Sequence, residues 1–425
     1  MAGLIERRLN EIVRQRMTES PVVLLQGPRS VGKSTLLRAL ATRHDRPVID
    51  LDDLAVRAAV ANDPALFTSG HAPVFIDEYQ HVPDLLAAIK AELNRDGSPG
   101  RFVITGSTRF DSLPLASQSL TGRLHRIEIQ PFSQGEIDSR RERLIETLLC
   151  DPAAVVTPEP SATTRRQYAI RITRGGFPMA LTRSEAARHR WFDDYVALCL
   201  QRDLLDVGRV RRPGALAPLL SRLAAQTSQV LNVSRAGAGE GLPASTASDY
   251  VDLLRSVFLV RLLPAWGKTL RAATAARPKL HLVDSGLAAR LLRLTPDRLG
   301  GLDATSLQQF GHLIETFVAG EILKQASWME HRPHIGHWRT HHGAEVDLVI
   351  EDGQTGSVVG IEVKAGSRVH PGDRRGLRML RDRLGNRFTV GVVLYTGTHC
   401  IRYADDERII ALPIDRLWTN TATGE

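Results

Sequence analysis

Apolar residues in the first 130 positions fall into two alternating patterns, which predict strands and helices in turn. Short apolar runs, each ending in polar residues or glycine, predict buried strands. These runs are residues 22–25, 47–51, 73–78, 101–105 and 124–129. Apolar residues at helical spacing predict helices at residues 4–17 and 84–93. This alternation predicts an α/β fold, with a parallel sheet covered by helices on both faces and a ligand at the carboxyl ends of the strands.

The first strand runs into a glycine-rich loop with the spacing G-x-x-x-x-G-K-S. In a strand–loop–helix context, such a loop directs backbone N–H groups towards phosphate oxygens at a helix N-terminus. We expect Lys33 to reach the β- and γ-phosphates of ATP and the Ser34 hydroxyl to bind Mg²⁺. The complete motif disfavours a turn that binds nothing. The predicted nucleotide-binding residues are Gly27, Pro28, Arg29, Ser30, Val31, Gly32, Lys33, Ser34 and Thr35.

Two adjacent carboxylates end the third predicted strand, in the segment VFIDE. Asp77 is expected to help hold the Mg²⁺, and Glu78 to orient or deprotonate the attacking water. Two acids at the end of a buried strand could instead cap a helix. The glycine-rich loop upstream favours the catalytic interpretation. Ser107 follows the fourth strand, where a polar residue would contact the γ-phosphate or the water. A helix N-cap explains Ser107 about equally well.

The pattern changes from about Pro213 to Leu291. Helices are predicted at residues 216–223 and 245–255, a β-rich stretch at 257–263, and a loop over the glycine-rich run 236–242. Two helices followed by a β-hairpin suggest a winged helix, which would place its second helix in the DNA major groove. That helix, STASDYVDLLR, is not basic. A protein-binding or purely structural role therefore stays open.

A second group of acidic residues lies in the last 120 positions. Glu315 falls within a predicted helix at 310–324, Asp347 in the strand GAEVDLVIE, and Glu362 and Lys364 in the strand GIEVKAG. Because strand side chains alternate, Glu362 and Lys364 point to one face. Asp347, on a neighbouring strand, could join them around a divalent ion. The two carboxylates would then hold Mg²⁺ or Mn²⁺ while the lysine stabilises the hydroxide or the developing phosphorane charge. A hairpin carrying surface ion pairs is the alternative.

The helix that follows these strands is rich in arginine, as a surface that tracks a phosphate backbone would be. Arginine-rich helices are also often simply solvated. The basic residues are Arg368, His370, Arg374, Arg375, Arg378, Arg381 and Arg383.

Four segments together resemble the core of AAA+ ATPases: GPRSVGKST, VFIDEYQHVPDLL, ITGS and SLTGRLHRIEIQPFSQGE. Within that family, the chain resembles the prokaryotic branch that continues into a helical lid, a winged helix and a restriction-endonuclease-like domain. The D…E-x-K layout, with Glu315 as a helical acid, is similar to a restriction-endonuclease-like active site. The resemblance implies an ATPase core at 1–137, a lid at 138–205, a winged-helix-like domain at 206–300 and a nuclease-like domain at 301–425.

The resemblance also implies a role for Arg123, in the TGR element, as an arginine finger that acts on a neighbouring subunit. Such an arginine is worth roughly 10³–10⁵ in rate, so its use would require a homo-oligomer. A surface arginine with a local partner is the alternative, and Arg126 is a substitute candidate.

Composition adds limits to this description. The 425 residues include 55 Lys plus Arg against 47 Asp plus Glu, a net charge of +8 that suits a nucleic-acid partner. The three cysteines lie far apart, which disfavours a disulfide framework or a zinc finger. Charges throughout the N-terminus and the lack of an apolar run near ~18 residues predict a cytoplasmic protein without a membrane span.

These features predict an Mg²⁺-dependent ATPase that binds and remodels or processes DNA. Two other functions stay open. One is a nucleotide-switched regulator or scaffold that binds a protein partner and carries an inert nuclease-like domain. The other is an ATP-gated defence or toxin-type nuclease.

Overall fold

The structure is a computed structural model, and it describes residues 5–112, 120–204, 210–267, 277–340 and 343–419. The chain divides into two compact units. The first unit comprises Met1–Pro131, Ala197–Pro213 and Asp252–Leu259. The second unit comprises Phe132–Val196, Gly214–Val251 and Val260–Glu425. Among the described residues, no helix is both long enough and apolar enough to cross a bilayer.

A five-stranded parallel sheet forms the centre of the first unit. Its strands are β1 (Val22–Gln26), β2 (Val48–Asp50), β3 (Val74–Asp77), β4 (Phe102–Gly106) and β5 (Leu124–Glu128). The helices of this part of the chain are α1 (Leu9–Met17), α2 (Lys33–Arg43), α3 (Leu54–Asn62), α4 (Pro64–Thr68) and α5 (Leu85–Arg95). Every residue of β1, β3 and β4 is buried. Burial on both faces of the sheet explains why these sequence runs are almost continuously apolar.

The strand order of this sheet is β2-β3-β4-β1-β5. Strand β4 therefore lies between β1, which leads into the glycine-rich loop, and β3, which ends in the two acids. All three strands point the same way, so their carboxyl ends meet at one edge of the sheet. The predicted α/β class with a parallel-sheet core is confirmed.

Thirteen further helices follow in the described residues, together with a π-helical turn at Cys199–Asp203. They are α6 (Gln134–Ile137), α7 (Leu144–Cys150), α8 (Arg165–Arg174), α9 (Pro178–Leu181), α10 (Glu185–Leu198), α11 (Leu216–Ala224), α12 (Val233–Ala238), α13 (Ala244–Ser256), α14 (Ser285–Leu291), α15 (Pro296–Gly300), α16 (Ala304–Ser327), α17 (Arg375–Leu384) and α18 (Arg416–Thr419).

The second unit contains two sheets. A three-stranded antiparallel sheet has the order β6-β8-β7, with β6 (Gln229–Val230), β7 (Val260–Leu263) and β8 (Lys279–Leu282). A six-stranded mixed sheet has the order β13-β14-β12-β11-β10-β9. Its strands are β9 (His334–Arg339), β10 (Glu345–Glu351), β11 (Val358–Lys364), β12 (Phe388–Tyr395), β13 (Ile401–Tyr403) and β14 (Asp406–Pro413).

The glycine-rich run at 236–242 is not a loop throughout, as the sequence suggested, because its first residues belong to helix α12. The Asn232 side chain accepts a hydrogen bond from the Arg235 amide and so caps this helix. Gly237 is buried, and an added Cβ would lie 2.8 Å from the Ala247 side chain. Close packing therefore explains this glycine better than flexibility does.

Two arginines of α17, and one directly before it, pair with acids of the same chain. Arg374, which precedes α17, and Arg378 both pair with Asp405, at 2.8 and 2.5 Å, and Arg381 pairs with Asp406 and with Asp382. The sequence suggested either a phosphate-binding or a simply solvated surface, and these ion pairs offset part of its charge.

Candidate functional site

The glycine-rich loop is held against the sheet by contacts that only glycine permits. Gly27 has φ of 155°, and an added Cβ would lie 2.1 Å from the carbonyl oxygen of Ile129. Gly32 has φ of 94°, in the left-handed region, and comes directly before α2. The loop can therefore turn back over the start of the helix, where the first amides of α2 have no partner within the helix.

Lys33 opens α2, is buried, and folds back over the loop. Its Nζ donates to the carbonyl oxygens of Gly27 at 3.0 Å and Pro28 at 2.9 Å. Both acceptors are neutral and belong to the loop itself. An ammonium held in this way is already placed where a phosphate bound by the loop would lie, and it can exchange neutral acceptors for charged ones.

Asp77 lies beside Ser34, as expected for two ligands of one Mg²⁺. Burial raises the pKa of Asp77, and hydrogen bonds from Thr105 and Ser34 oppose that rise. The Thr105 hydroxyl donates to Asp77 and accepts from the Glu78 amide at 3.1 Å. One hydroxyl and one carboxylate form a set of hard oxygen donors, and Mg²⁺ commonly uses such a set together with phosphate oxygens.

Glu78 is fixed in place by residues from both neighbouring segments. Its Oε2 accepts from the Ser107 hydroxyl at 3.0 Å and from the Gln80 amide group, which also contacts Ser107 at 3.1 Å. Ser107 therefore orients the acidic side chain, a role that neither sequence interpretation described. Burial would raise the pKa of Glu78, but Lys33, Gln80 and Arg29 outweigh burial and hold it below the ordinary value. The carboxylate is thus ionised at neutral pH.

The backbone at Glu78 is also unusual. Its φ and ψ are 54° and 51°, in the left-handed region that non-glycine residues rarely adopt. Such strain persists only when surrounding contacts enforce it, and it occurs preferentially at functional sites. Here the left-handed turn ends β3. After it, Thr105 donates to Asp77 and Ser107 donates to Glu78, so the two acids have different partners.

Arg123 lies at the far end of the sheet from the loop. Its carbonyl accepts from the Val22 amide at 3.1 Å, at the start of β1, so the length of β1 separates it from Gly27, about 15 Å. Its side chain donates to Asn94 at 2.8 Å. Arg126 pairs with Asp111. The structure therefore does not place Arg123 next to Lys33, Asp77 and Glu78 of the same chain.

The acidic residues of the last strands do meet in the second unit. Asp347 of β10 accepts from the Val363 amide of β11 at 2.9 Å, and Glu362 pairs with Lys364 at 2.9 Å. Glu315 projects from α16 towards Asp347, and Glu345 comes from the start of β10. We call Glu315, Glu345, Asp347 and Glu362 the carboxylate cluster.

A lysine from outside these segments enters the carboxylate cluster. The Lys279 side chain, from β8, is buried, and its Nζ contacts three carboxylates at once. These contacts are Glu315 Oε1 at 2.8 Å, Glu345 Oε1 at 2.5 Å and Asp347 Oδ1 at 2.8 Å. Within the described ranges, no three His, Cys, Asp or Glu side chains are arranged to hold a metal ion. The cluster as it stands does not fit the expected Mg²⁺ or Mn²⁺.

Several residues of these sites were missed from the sequence. Arg7, just before α1, donates to the carbonyl of Val31 in the loop, and Gln80 and Thr105 position the two acids. Arg7 has no recognisable motif. Lys279 has a weak signal, since it precedes the apolar–polar alternation LHLV in a short strand. A charged residue in a strand that is otherwise buried requires a counter-charge.

Three family descriptions match separate parts of the chain. Residues 19–138 match the AAA domain, residues 165–298 a domain of unknown function (DUF8612), and residues 310–417 another domain of unknown function (DUF4143). Uncharacterized proteins of Mycobacterium tuberculosis and Mycobacterium bovis are each 29% identical over 426 residues, covering 99% of this chain and 87% of the relative.

Solved structures with partial similarity include a Walker-type ATPase of Pyrococcus abyssi, at 14% identity and a TM-score of 0.39, covering 68% of this chain and 96% of that one. The RuvB Holliday junction branch migration motor of Thermotoga maritima has 19% identity and a TM-score of 0.29, covering 59% and 88%. The AAA-domain match, together with the loop and the parallel sheet described above, supports a P-loop ATPase of the AAA type.

Proposed function

We propose that this protein is an Mg²⁺-dependent ATPase that acts on DNA as a homo-oligomer. The observation that carries the proposal is the meeting of Lys33, Ser34, Asp77 and Glu78 at one edge of the parallel sheet. Each of these residues comes from the end of a strand or the start of a helix, so rigid elements position the chemistry. The AAA-domain match over residues 19–138 supports the same reaction.

The proposed roles follow from the contacts of each side chain. The amides at the start of α2 bind phosphate oxygens, and Lys33 moves from the Gly27 and Pro28 carbonyls to the β- and γ-phosphates. Ser34 and Asp77 would hold Mg²⁺, which neutralises phosphate charge when bound. Glu78, ionised and held by Ser107, accepts a proton from the attacking water or orients it.

Completion of the site by a second copy of the chain is part of the proposal. Arg123 lies about 15 Å from its own Gly27, too far to contact a phosphate bound there. An arginine at the opposite end of the sheet is available to a neighbouring subunit. Its Asn94 partner is neutral, so the guanidinium has no carboxylate to leave at that contact.

Support for DNA as the substrate comes from charge and from the order of elements. The net charge is +8, and α11, β6, α12, α13, β7 and β8 follow one another in the order helix, strand, helix, helix, strand, strand. A winged helix has this arrangement of helices against a small antiparallel sheet. On α13, the exposed residues Ser245, Ser248, Asp249 and Asp252 are neutral or acidic, and the half-exposed Arg255 pairs with Asp252.

ATP turnover, measured with and without DNA, tests this proposal. Phosphate release should require Mg²⁺ and should increase with one of single-stranded, duplex or branched DNA, and DNA affinity should fall steeply between 50 and 200 mM salt. A Lys90→Ala variant, altered at an exposed position of α5, serves as the control. Turnover that no DNA stimulates, together with a lack of salt-sensitive binding, would remove DNA from the proposal and leave the ATPase.

A second candidate function is a nucleotide-switched regulator that binds a protein partner through the second unit. Two observations favour it: α13 exposes neutral and acidic residues and pairs its Arg255 with Asp252, and ion pairs occupy Arg378 and Arg381 of α17. A partner captured in ATP but not in ADP, from a protein that binds no DNA, would select this candidate. An ATP-gated nuclease has weaker support, because Lys279 lies where a cleaving site needs a metal ion.

A further inference from the structure

The position of Lys279 has a consequence that does not depend on ATP hydrolysis. Lys279 lies on β8, the middle strand of the three-stranded sheet, and its side chain is only 2% exposed. It therefore reaches the carboxylate cluster from a different sheet and meets acids from α16 and β10. Three carboxylate oxygens surround the ammonium at 2.5 to 2.8 Å.

All three contacts of the lysine are with acids. An ammonium group has N–H donors and no acceptor, and here it donates hydrogen bonds to Glu315 and Asp347 and forms an ion pair with Glu345. The carboxylates outweigh the cost of burial, so the pKa of Lys279 lies well above its ordinary value. Lys279 is therefore a permanent cation within the cluster.

The second lysine of the cluster is also paired. Lys364 Nζ lies 2.9 Å from Glu362 Oε1 and 3.6 Å from Asp373. The other oxygen of Glu362, Oε2, is buried and accepts no hydrogen bond. Burial and the nearby Asp347 raise the pKa of Glu362. One acceptor oxygen is thus left facing the cluster without a donor.

The acids of the cluster are of the type that binds a hard divalent cation. Carboxylates from one helix and two neighbouring strands can supply the oxygen ligands that Mg²⁺ and Mn²⁺ prefer. A divalent ion among Glu315, Glu345 and Asp347 would lie where the ammonium now lies. The two cations cannot share this space, because their repulsion in a buried site is large.

We propose that the Lys279 ammonium takes the place of a divalent metal ion in the carboxylate cluster. The natural chain then binds no metal there, and the cluster holds β8, α16 and β10 together instead of cleaving a phosphodiester. Removal of the ammonium converts the cluster into a divalent-metal site. The carboxylate cluster is separate from the proposed ATPase site, and its lack of a metal ion does not depend on ATP hydrolysis.

Manganese binding to the nucleotide-free, EDTA-treated full chain tests the proposal, with the free Mn²⁺ signal followed by electron paramagnetic resonance. An Asp77→Asn background removes the carboxylate that the ATP site would contribute, so the outcome is independent of the ATPase. With Lys279 present, we expect the Mn²⁺ signal to match that of buffer. With Lys279→Ala, we expect the signal to fall by one equivalent of Mn²⁺, and a Lys279→Ala/Asp347→Asn variant should bind none.

Two results would overturn the proposal. The first is one equivalent of Mn²⁺ bound while Lys279 is present and lost on Asp347→Asn, since the ammonium would then not replace the metal. The second is a folded Lys279→Ala chain that binds no Mn²⁺. If Lys279→Ala folds only in Mn²⁺, that dependence supports the proposal. If it does not fold in either condition, Lys279→Gln, which keeps a hydrogen-bond donor, must bind Mn²⁺ for the proposal to stand.

Discussion

Lys33 and Lys279 are both buried lysines, but their surroundings differ in kind. Lys33 donates to two neutral carbonyls of its own loop, whereas Lys279 contacts three carboxylates from two other elements. Neutral acceptors are easily exchanged for phosphate oxygens, and three buried charges are not. Lys33 is therefore placed to bind a ligand, whereas Lys279 is placed to stabilise the fold.

Lys33→Ala should have the largest effect on function, because it removes the only cation that the loop motif assigns to the β- and γ-phosphates. We expect ATP turnover to fall below detection and nucleotide binding to weaken strongly. Phosphate release and fluorescent-nucleotide binding measure the two effects. The exposed Lys90→Ala should turn over ATP as the unaltered chain does. If turnover survives in Lys33→Ala, Lys33 does not bind the phosphates of ATP.

Arg123→Ala sharpens the comparison by asking whether the nucleotide site is complete within one chain. We expect turnover to fall by roughly 10³–10⁵ while ATP binding is retained, since a finger acts only on the transition state. Mixing Arg123→Ala with Lys33→Ala chains should restore some turnover, because each supplies what the other lacks. If Arg123→Ala keeps full ATP turnover, either Arg126 is the arginine finger or the protein uses none of these arginines as a finger.

Lys279→Met and Lys33→Met should differ in their effect on stability. Lys279→Met leaves buried carboxylates without a counter-charge and should cost about 3–5 kcal/mol. Lys33→Met removes two hydrogen bonds to neutral carbonyls and one of several groups that hold down the pKa of Glu78, so it should cost less, about 1–2 kcal/mol. Urea denaturation in EDTA measures both free energies of unfolding. Equal costs for the two variants would break the distinction drawn between these lysines.

Glu142 provides the smallest test, as a buried carboxylate with no lysine beside it among the described contacts. Burial raises its pKa to about 7, although hydrogen bonds from Ser133 and from its own backbone amide oppose the rise. Because the folded pKa exceeds the unfolded value, stability is lost as pH rises from about 4.5 to 7. Glu142→Gln should therefore stabilise the chain at pH 8 by up to about 3 kcal/mol and show no gain at pH 4.

Urea denaturation at the two pH values measures this difference, and the exposed Glu407→Gln is the matched control. A Glu142→Gln gain that is the same at pH 4 and pH 8 would mean that ionisation of Glu142 is not its cause.

Local patterns in the sequence were sufficient to predict that Lys33, Asp77 and Glu78 meet at one edge of the sheet. Short apolar runs set β1, β3 and β4, and parallel strands bring Asp77 and the loop to one edge, so spacing alone placed Lys33 and Glu78. Strand alternation and the resemblance to a restriction-endonuclease-like site predicted that Glu315, Asp347 and Glu362 would meet. What spacing could not supply was Lys279, which lies 36 residues from Glu315 and 68 from Asp347 and reaches them through tertiary packing.

Helix α12 and the α17 arginines show the same limit. Gly237 reads locally as a loop residue, but packing against Ala247 makes it helical and buried. Arg378 and Arg381 of α17 read as part of a free basic face, but Asp405, just before β14, and Asp406, its first residue, pair with them. In both cases the deciding partner is distant in sequence, and a local pattern does not contain it.

Binding and turnover of ATP by Glu78→Gln, compared with the unaltered chain, test the central claim most directly. With Mg²⁺ and radiolabelled ATP, the unaltered chain should release phosphate. Glu78→Gln should retain unhydrolysed ATP, with turnover lower by roughly 10²–10⁴. If Glu78→Gln turns over ATP at the unaltered rate, or if the unaltered chain retains no nucleotide in Mg²⁺, the assignment of this sheet edge as an ATPase site is contradicted.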